Sequence, residues 1–203
     1  MKVIEQEIHS LKNSISEMWA LVHQQLYNAG EAMLTGDKEL AYKVISRERR
    51  VNAFELKIDS DCEDIIALYA PVAIDLRFVL AMYKINTNLE RLGDFAESIA
   101  RFAGNLPEGE PIDPQLVKET RVEEMLSELL SMISLTKEAF EKESSEIASR
   151  IFLKDNLIDE INHNSTAIIA KYIEEHKGSA LAGLYMAGVI RKMERFGDHC
   201  TNI

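Results

Sequence analysis

The sequence predicts an all-α protein made of two tandem three-helix bundles. Three observations carry that expectation. The 203 residues are 46% hydrophobic but only 7% aromatic, with 4 prolines, a composition common in helical chains. Apolar residues recur at alternating steps of three and four, the period of one helix face. The second half of the chain also repeats the first.

The first helix is marked by Ile4, Ile8, Leu11, Ile15, Met18 and Val22, one apolar stripe along a long segment. The stripe fades near Gly30. Leu34-Thr35-Gly36-Asp37 reads as a turn, with Asp37 as the next N-cap. A second stripe runs through Leu40, Val44, Val51, Phe54, Ile58, Cys62, Ile65 and Tyr69. Pro71 interrupts it and suits the first turn of a third helix, which runs to about Phe102. Residues 104–114 hold three of the four prolines. They break the helical pattern and mark the linker. Asp113 and Pro114 read as N-cap and first residue of a fourth helix. Ser144 caps a fifth, and Gly178-Ser179 turn the chain into a sixth.

The repeat is visible in these helices. At an offset of 107, Met18 falls on Met125, Val22 on Leu129, Asp37 on Ser144, Val44 on Ile151 and Val51 on Ile158. At an offset of 104, Glu90-Arg91-Leu92-Gly93-Asp94 falls on Glu194-Arg195-Phe196-Gly197-Asp198. We therefore divide the chain into a first unit at 1–105, a linker at 106–114 and a second unit at 115–203.

Composition also excludes function classes. The net charge is −11, from 34 acidic and 23 basic residues, which argues against a nucleic-acid partner. The two cysteines, Cys62 and Cys200, form neither a CxxC pair nor a disulfide framework, so a reducing compartment is expected. No signal-peptide core stands after Met1, and the longest near-apolar run, Ala180 to Ile190, falls short of the roughly 18 residues that span a bilayer. A cytoplasmic protein is expected, soluble or peripherally attached. HExxH, the paired Glu-x-x-His of a di-iron bundle, GxxxxGK[ST] and GxGxxG are all missing from the chain. No nucleophile stands beside a base at recognisable spacing, so no enzyme is expected.

The chemistry lies in carboxylates. Glu90 with Asp94, and Glu194 with Asp198, are one helical turn apart and share a face, where like charges repel. Glu97 extends the first group, although Arg101 at i+4 is its natural ion-pair partner. The second helix of each unit offers Glu48, Asn52 and Glu55, aligned with Asp155, Asp159 and Asn162. Antiparallel neighbours would bring Glu48 toward Glu90 and Asp94, and Asp155 and Asp159 toward Glu194 and Asp198. Two helices giving two carboxylates each make an oxygen-rich site for a divalent or trivalent metal ion. Magnesium, manganese, calcium and iron suit such ligands, and zinc is compatible. Gly93 and Gly197 lie inside helices, where Gly costs about 1 kcal/mol against Ala, which points to close helix approach beside the acids. Arg91 and Arg195 are expected to pair with carboxylates on neighbouring helices. His163 reads as a surface histidine, His199 as pointing away from the acids, and Cys200 as a small buried apolar side chain.

The duplicated Arg-x-Gly-Asp in the third helix of each unit resembles the PhoU family of phosphate-signalling regulators. Pro71-Val72-Ala73-Ile74-Asp75-Leu76-Arg77 resembles that family's lead-in to the helix, and Asn202-Ile203 resembles the Asn-Ile that the family carries after its second motif. The resemblance covers essentially the whole chain. It implies a phosphate-responsive adaptor acting with the ATPase of a phosphate ABC transporter and a sensor histidine kinase, damping uptake and starvation signalling. It also implies metal sites built from Glu/Asp-x-x-x-Asp pairs. Glu90–Asp94, Glu194–Asp198 and Asp155–Asp159 fit that motif. Glu48–Asn52 departs from it, with Glu55 as compensation. Asn202 is implied beside the second site, where the first unit has Ser98. Past its motif the first unit continues to Arg101 and Phe102, whereas the second stops at Ile203, so thinner cover over the second bundle is expected. Membrane association is implied through partners only, and spare apolar surface on an elongated helical protein favours a homodimer. Three alternatives differ in kind: the cytoplasmic domain of a sodium/phosphate cotransporter, a metal-dependent helical-bundle hydrolase or oxidase, and a helical scaffold without metal. The start at Met1 without a membrane span weighs against the first, and the missing histidine ligands weigh against the second.

Overall fold

Long apolar stripes fold into long helices. In the computed structural model, which describes residues 3–105 and 112–203, the first unit is α1 (Val3–Thr35), α2 (Lys38–Tyr69) and α3 (Ile74–Gly104). The second is α4 (Pro114–Thr120), α5 (Val122–Lys142), α6 (Ser145–Glu175) and α7 (Ala180–Asn202). No strand occurs among the described residues. Residues 106–111 of the expected linker, and Met1-Lys2, lie outside them.

The caps are side-chain acceptors for orphan N–H groups. Asp37 accepts from the Leu40 N–H, Asp113 from Gln115 and Ser144 from Ile147. The stripes face inward. Leu11, Ile15, Met18 and Val22 of α1 and Val44, Val51, Ile58, Cys62 and Ile65 of α2 are all at most 2% exposed. They belong to one core that runs through both units.

Helix α1 runs past Gly30 to Thr35, up to the expected turn, and Leu126 of α5 packs where a side chain at Gly30 would stand. Two local expectations need correction. Pro71 precedes α3 instead of opening it: the turn carries Ala70 at φ 44 and Ala73 at φ 50, and the helix starts at Ile74. The expected fourth helix is two. Arg121 adopts φ 58, ψ 27 and separates α4 from α5, so that α4 packs on both α5 and α6. Arg121 then pairs with Glu124 and Glu160, each at 2.7 Å. Nothing in the residue type announces that break, since arginine is a good helix former.

The two units pack through α3 and α7, which run antiparallel. Asn88 of α3 meets His199 near the end of α7, and Phe102 meets Tyr185 near its start, with ring centroids 6.0 Å apart. A Cβ at Gly188 would stand 2.7 Å from Phe102 Cζ, so the glycine lets the helices close. A cavity of about 220 Å³ opens beside Ile203, bordered by Phe140, Ala148 and Ile151.

Candidate functional site

In each unit a glycine on the third long helix lets it approach the second closely. A Cβ at Gly93 would lie 2.9 Å from Val51 Cγ1. A Cβ at Gly197 would lie 3.0 Å from Asp155 Oδ1 and 3.4 Å from Ile158 Cγ2. Val51 and Ile158 are partners in the sequence repeat, as are Gly93 and Gly197, so both units use the same crossing.

Around the second crossing the four expected carboxylates share one field. Burial pushes the Asp155 carboxyl up to about 6, and the charges of Asp159 and Asp198 push the same way. Glu194 is raised by burial first, then by Asp198, with Arg195 opposing and Asp159 and Asp155 adding. Gly197 is part of this geometry, since its bare Cα leaves room for the Asp155 oxygen.

Around the first crossing the acids are displaced along α2. Burial, then Asp94 and Glu55, push Glu90 up to about 7, against Arg91. Glu55 is raised by burial and then by Asp59, with Arg91 opposing. Asp94 adds to the rise, and Glu48 contributes least. Glu48 therefore stands at the margin of this group, and its field also reaches Arg101. Glu97 is bound to Arg101 at 2.7 Å.

Sequence reasoning missed Asp59. It lies one turn beyond Glu55, the same i, i+4 signal that singled out Glu90 and Asp94. Strict alignment of the repeats drew attention to Asn52 instead. Asn86, one turn before Glu90, donates through Nδ2 to Asp59 Oδ1 at 2.8 Å and to the Glu55 carbonyl at 2.9 Å. Its buried Oδ1 has no hydrogen-bond partner, a desolvation cost inside the fold.

The arginine expectation is corrected. Arg91 stays on its own helix, 3.6 Å from Glu90 and 3.3 Å from Asp94. Its neighbours in sequence are already within reach of its long side chain, and it is more than half exposed. His199 does turn from the acids: its Nδ1 lies 2.9 Å from Asn88 Oδ1 and its ring 5.4 Å from Phe95. His163 is exposed, as is Asn202. Both cysteines are buried. Burial pushes the Cys62 thiol up to about 12 and the Cys200 thiol higher still, so neither is a reactive thiolate.

The donor set fits a hard cation: carboxylate oxygens only, crowded enough to raise one another's proton affinity. Among the described residues, no three acid, imidazole or thiolate side chains are already drawn in around a point that could seat an ion. The acids are thus neighbours in a common field, not a closed cage.

Fold and site together define a class: a duplicated all-helical protein whose two acidic patches flank the joint between its halves. The chain belongs to the PhoU family. The PhoU domain family model matches residues 15–103 and 122–203, one match per unit. The chain is 31% identical over 199 residues to Thermotoga maritima phosphate-specific transport system accessory protein PhoU homolog 1, covering 98% of this chain and 84% of that protein. It is 33% identical over 200 residues to the Escherichia coli accessory protein PhoU, covering 97% and 80%. The crystal structure of PhoU from Pseudomonas aeruginosa superposes with a TM-score of 0.87 at 26% identity, over 98% of this chain and 93% of the other.

Proposed function

We propose that this chain is a non-enzymatic regulator of phosphate uptake and phosphate-starvation signalling. It acts as an adaptor on the ATPase subunit of a phosphate ABC transporter and on the partnering sensor histidine kinase. The observation that carries this reading is the double family match, together with relatives named as accessory proteins of the phosphate-specific transport system. No helix among the described residues is long and apolar enough to cross a membrane, which agrees with a cytoplasmic protein that reaches the membrane through its partners. Exposed Leu56, Leu68 and Ile74 supply apolar surface for a homodimer or a partner.

Metal binding is part of the proposal. Glu55, Asp59, Glu90 and Asp94 would hold an ion in the first unit, with Glu48 at the margin. Asp155, Asp159, Glu194 and Asp198 would hold one in the second. A magnesium, manganese, iron or zinc ion supplies positive charge that quenches the repulsion among these groups. The chain's own part is positional: Gly93 and Gly197 bring the helices close, and Asn86 fixes Asp59.

The test is genetic and biochemical. A strain lacking its own regulator regains repression of phosphate uptake when this chain is expressed, and the purified ATPase subunit binds it. Unrepressed uptake together with no ATPase binding overturns the reading. The Asp94→Ala, Asp198→Ala double variant then separates docking from metal: retained ATPase affinity with metal lost assigns docking to another surface.

A further inference from the structure

α1 and α5 belong to different units and leave a groove between them, away from the acidic patches. Two cavities of about 230 and 280 Å³ share Trp19 and Lys137 as a common wall. The first, at about 230 Å³, lies just below the range of small-molecule sites, about 300–1,000 Å³, and is open to solvent. The groove has an aromatic floor. Trp19 stacks on Phe140 with centroids 5.7 Å apart and is fixed by its Nε1–H, which donates to the Ile133 carbonyl at 3.2 Å. Phe78 of α3 lines the first cavity, and Lys12 Nζ stands 4.7 Å above its ring.

The polar groups are of mixed sign. Lys12 and Lys137 are the cations, with His9 and His23 beside them, and Asn13 and Ser16 offer neutral partners. Glu141 and Glu143 stand on the same wall, Glu141 3.5 Å from Lys137. In a chain of net charge −11 this is a locally balanced groove. A bare anion would gain from the lysines but meet the glutamates. An apolar ligand would strip water from both without replacing it. A ligand with a flat ring, an anionic group and hydrogen-bond donors satisfies all three sets.

We propose that this groove binds a nucleoside phosphate. The base takes the place of Lys12 over Phe78, beside Phe140, and the displaced Lys12 reaches the phosphate together with Lys137. Ribose hydroxyls or an exocyclic amine donate to Glu141 or Glu143. The site is separate from the carboxylates of α2, α3, α6 and α7, so it stands or falls apart from metal binding.

Trp19 is the chain's single tryptophan, and its fluorescence reports on the groove. The full chain, kept in chelator so that the acidic patches carry no metal, is titrated with adenosine and guanosine monophosphates. The proposal expects a saturable change for at least one of them. Lys12→Ala and Lys137→Met should each weaken it about tenfold, the usual loss of a charge-assisted contact. Both positions reach solvent, so folding survives, as far-ultraviolet circular dichroism will verify. Lys171→Ala, on α6, should leave the affinity unchanged. Three results overturn the proposal: no saturable change with either nucleotide, affinity indifferent to Lys12 and Lys137, or equal affinity for inorganic phosphate, which would make the groove a plain anion site.

Discussion

Gly93 and Gly197 have the same place in the repeat but different neighbours, and their alanine variants should behave differently. A methyl at Gly93 meets Val51 Cγ1 at 2.9 Å. Valine is stiff at χ1, so Gly93→Ala should lose about 1–3 kcal/mol to overpacking despite better helix propensity. A methyl at Gly197 meets the end of the Asp155 side chain at 3.0 Å, which can swing away. Gly197→Ala should therefore keep its melting temperature but lose cation affinity. Paired thermal melts and cation titrations of the two variants check this, and equal destabilisation would contradict it. The pH dependence has a definite sign. Folded Glu90 protonates near 7 against an ordinary 4.5, and Asp155 near 6 against 3.8. The folded state holds these protons more tightly. Their stabilisation is complete below the ordinary values and is lost as pH rises through about 6 to 7. Cation-free protein should melt at lower temperature across that rise, and bound cation should flatten the decline. A melting curve that does not move with pH would contradict the crowding of these acids. Much of this site was legible in the sequence, because acids at i, i+4 and glycines inside helices are local signals. Asp59 carries the same local signal one turn beyond Glu55, but the repeat points to Asn52 instead, and the packing of α3 on α2, where Asn86 bonds it, reveals its place.

Helices whose ends carry polar caps were the easily read elements, and turns built on backbone strain were the hidden ones. Asp37, Asp113 and Ser144 announce helix starts through side chains that bond the first turn. Ala70 and Ala73 announce nothing, yet hold φ 44 and φ 50, a region that costs a non-glycine residue about 1 kcal/mol or more. Ala70→Gly, at the C-cap of α2, should stabilise the protein by about 0.5–1 kcal/mol, read as a higher melting temperature. An unchanged or lower value would mean that the turn is not strained as described. Arg121 is hidden for a related reason: its left-handed backbone is held by ion pairs to Glu124 and Glu160. Glu160 is remote in sequence, so no local pattern predicts the break.

At the scale of the molecule, duplication was visible in the sequence but the way the copies join was not. Periodicity reports which face of a helix is apolar, and does not say which other helix covers it. The joint is the antiparallel contact of α3 with α7, where Gly188 admits Phe102 and His199 bonds Asn88. Gly188→Val should force Phe102 out, cost about 1–3 kcal/mol and shift the His199 imidazole resonances. Unaltered resonances would show that the halves do not lock there. Because each half carries its own acids, the joint brings two charged patches together on one shared core. The central claim is that each patch is a cation site, and calorimetric titration of chelator-stripped protein with manganese tests it most directly. The account predicts saturable binding in both units, with the second-unit sites lost in Asp198→Asn, the first-unit sites lost in Asp94→Asn, and none left in the double variant. Binding that survives the double variant, or no binding to the unaltered chain, would contradict it.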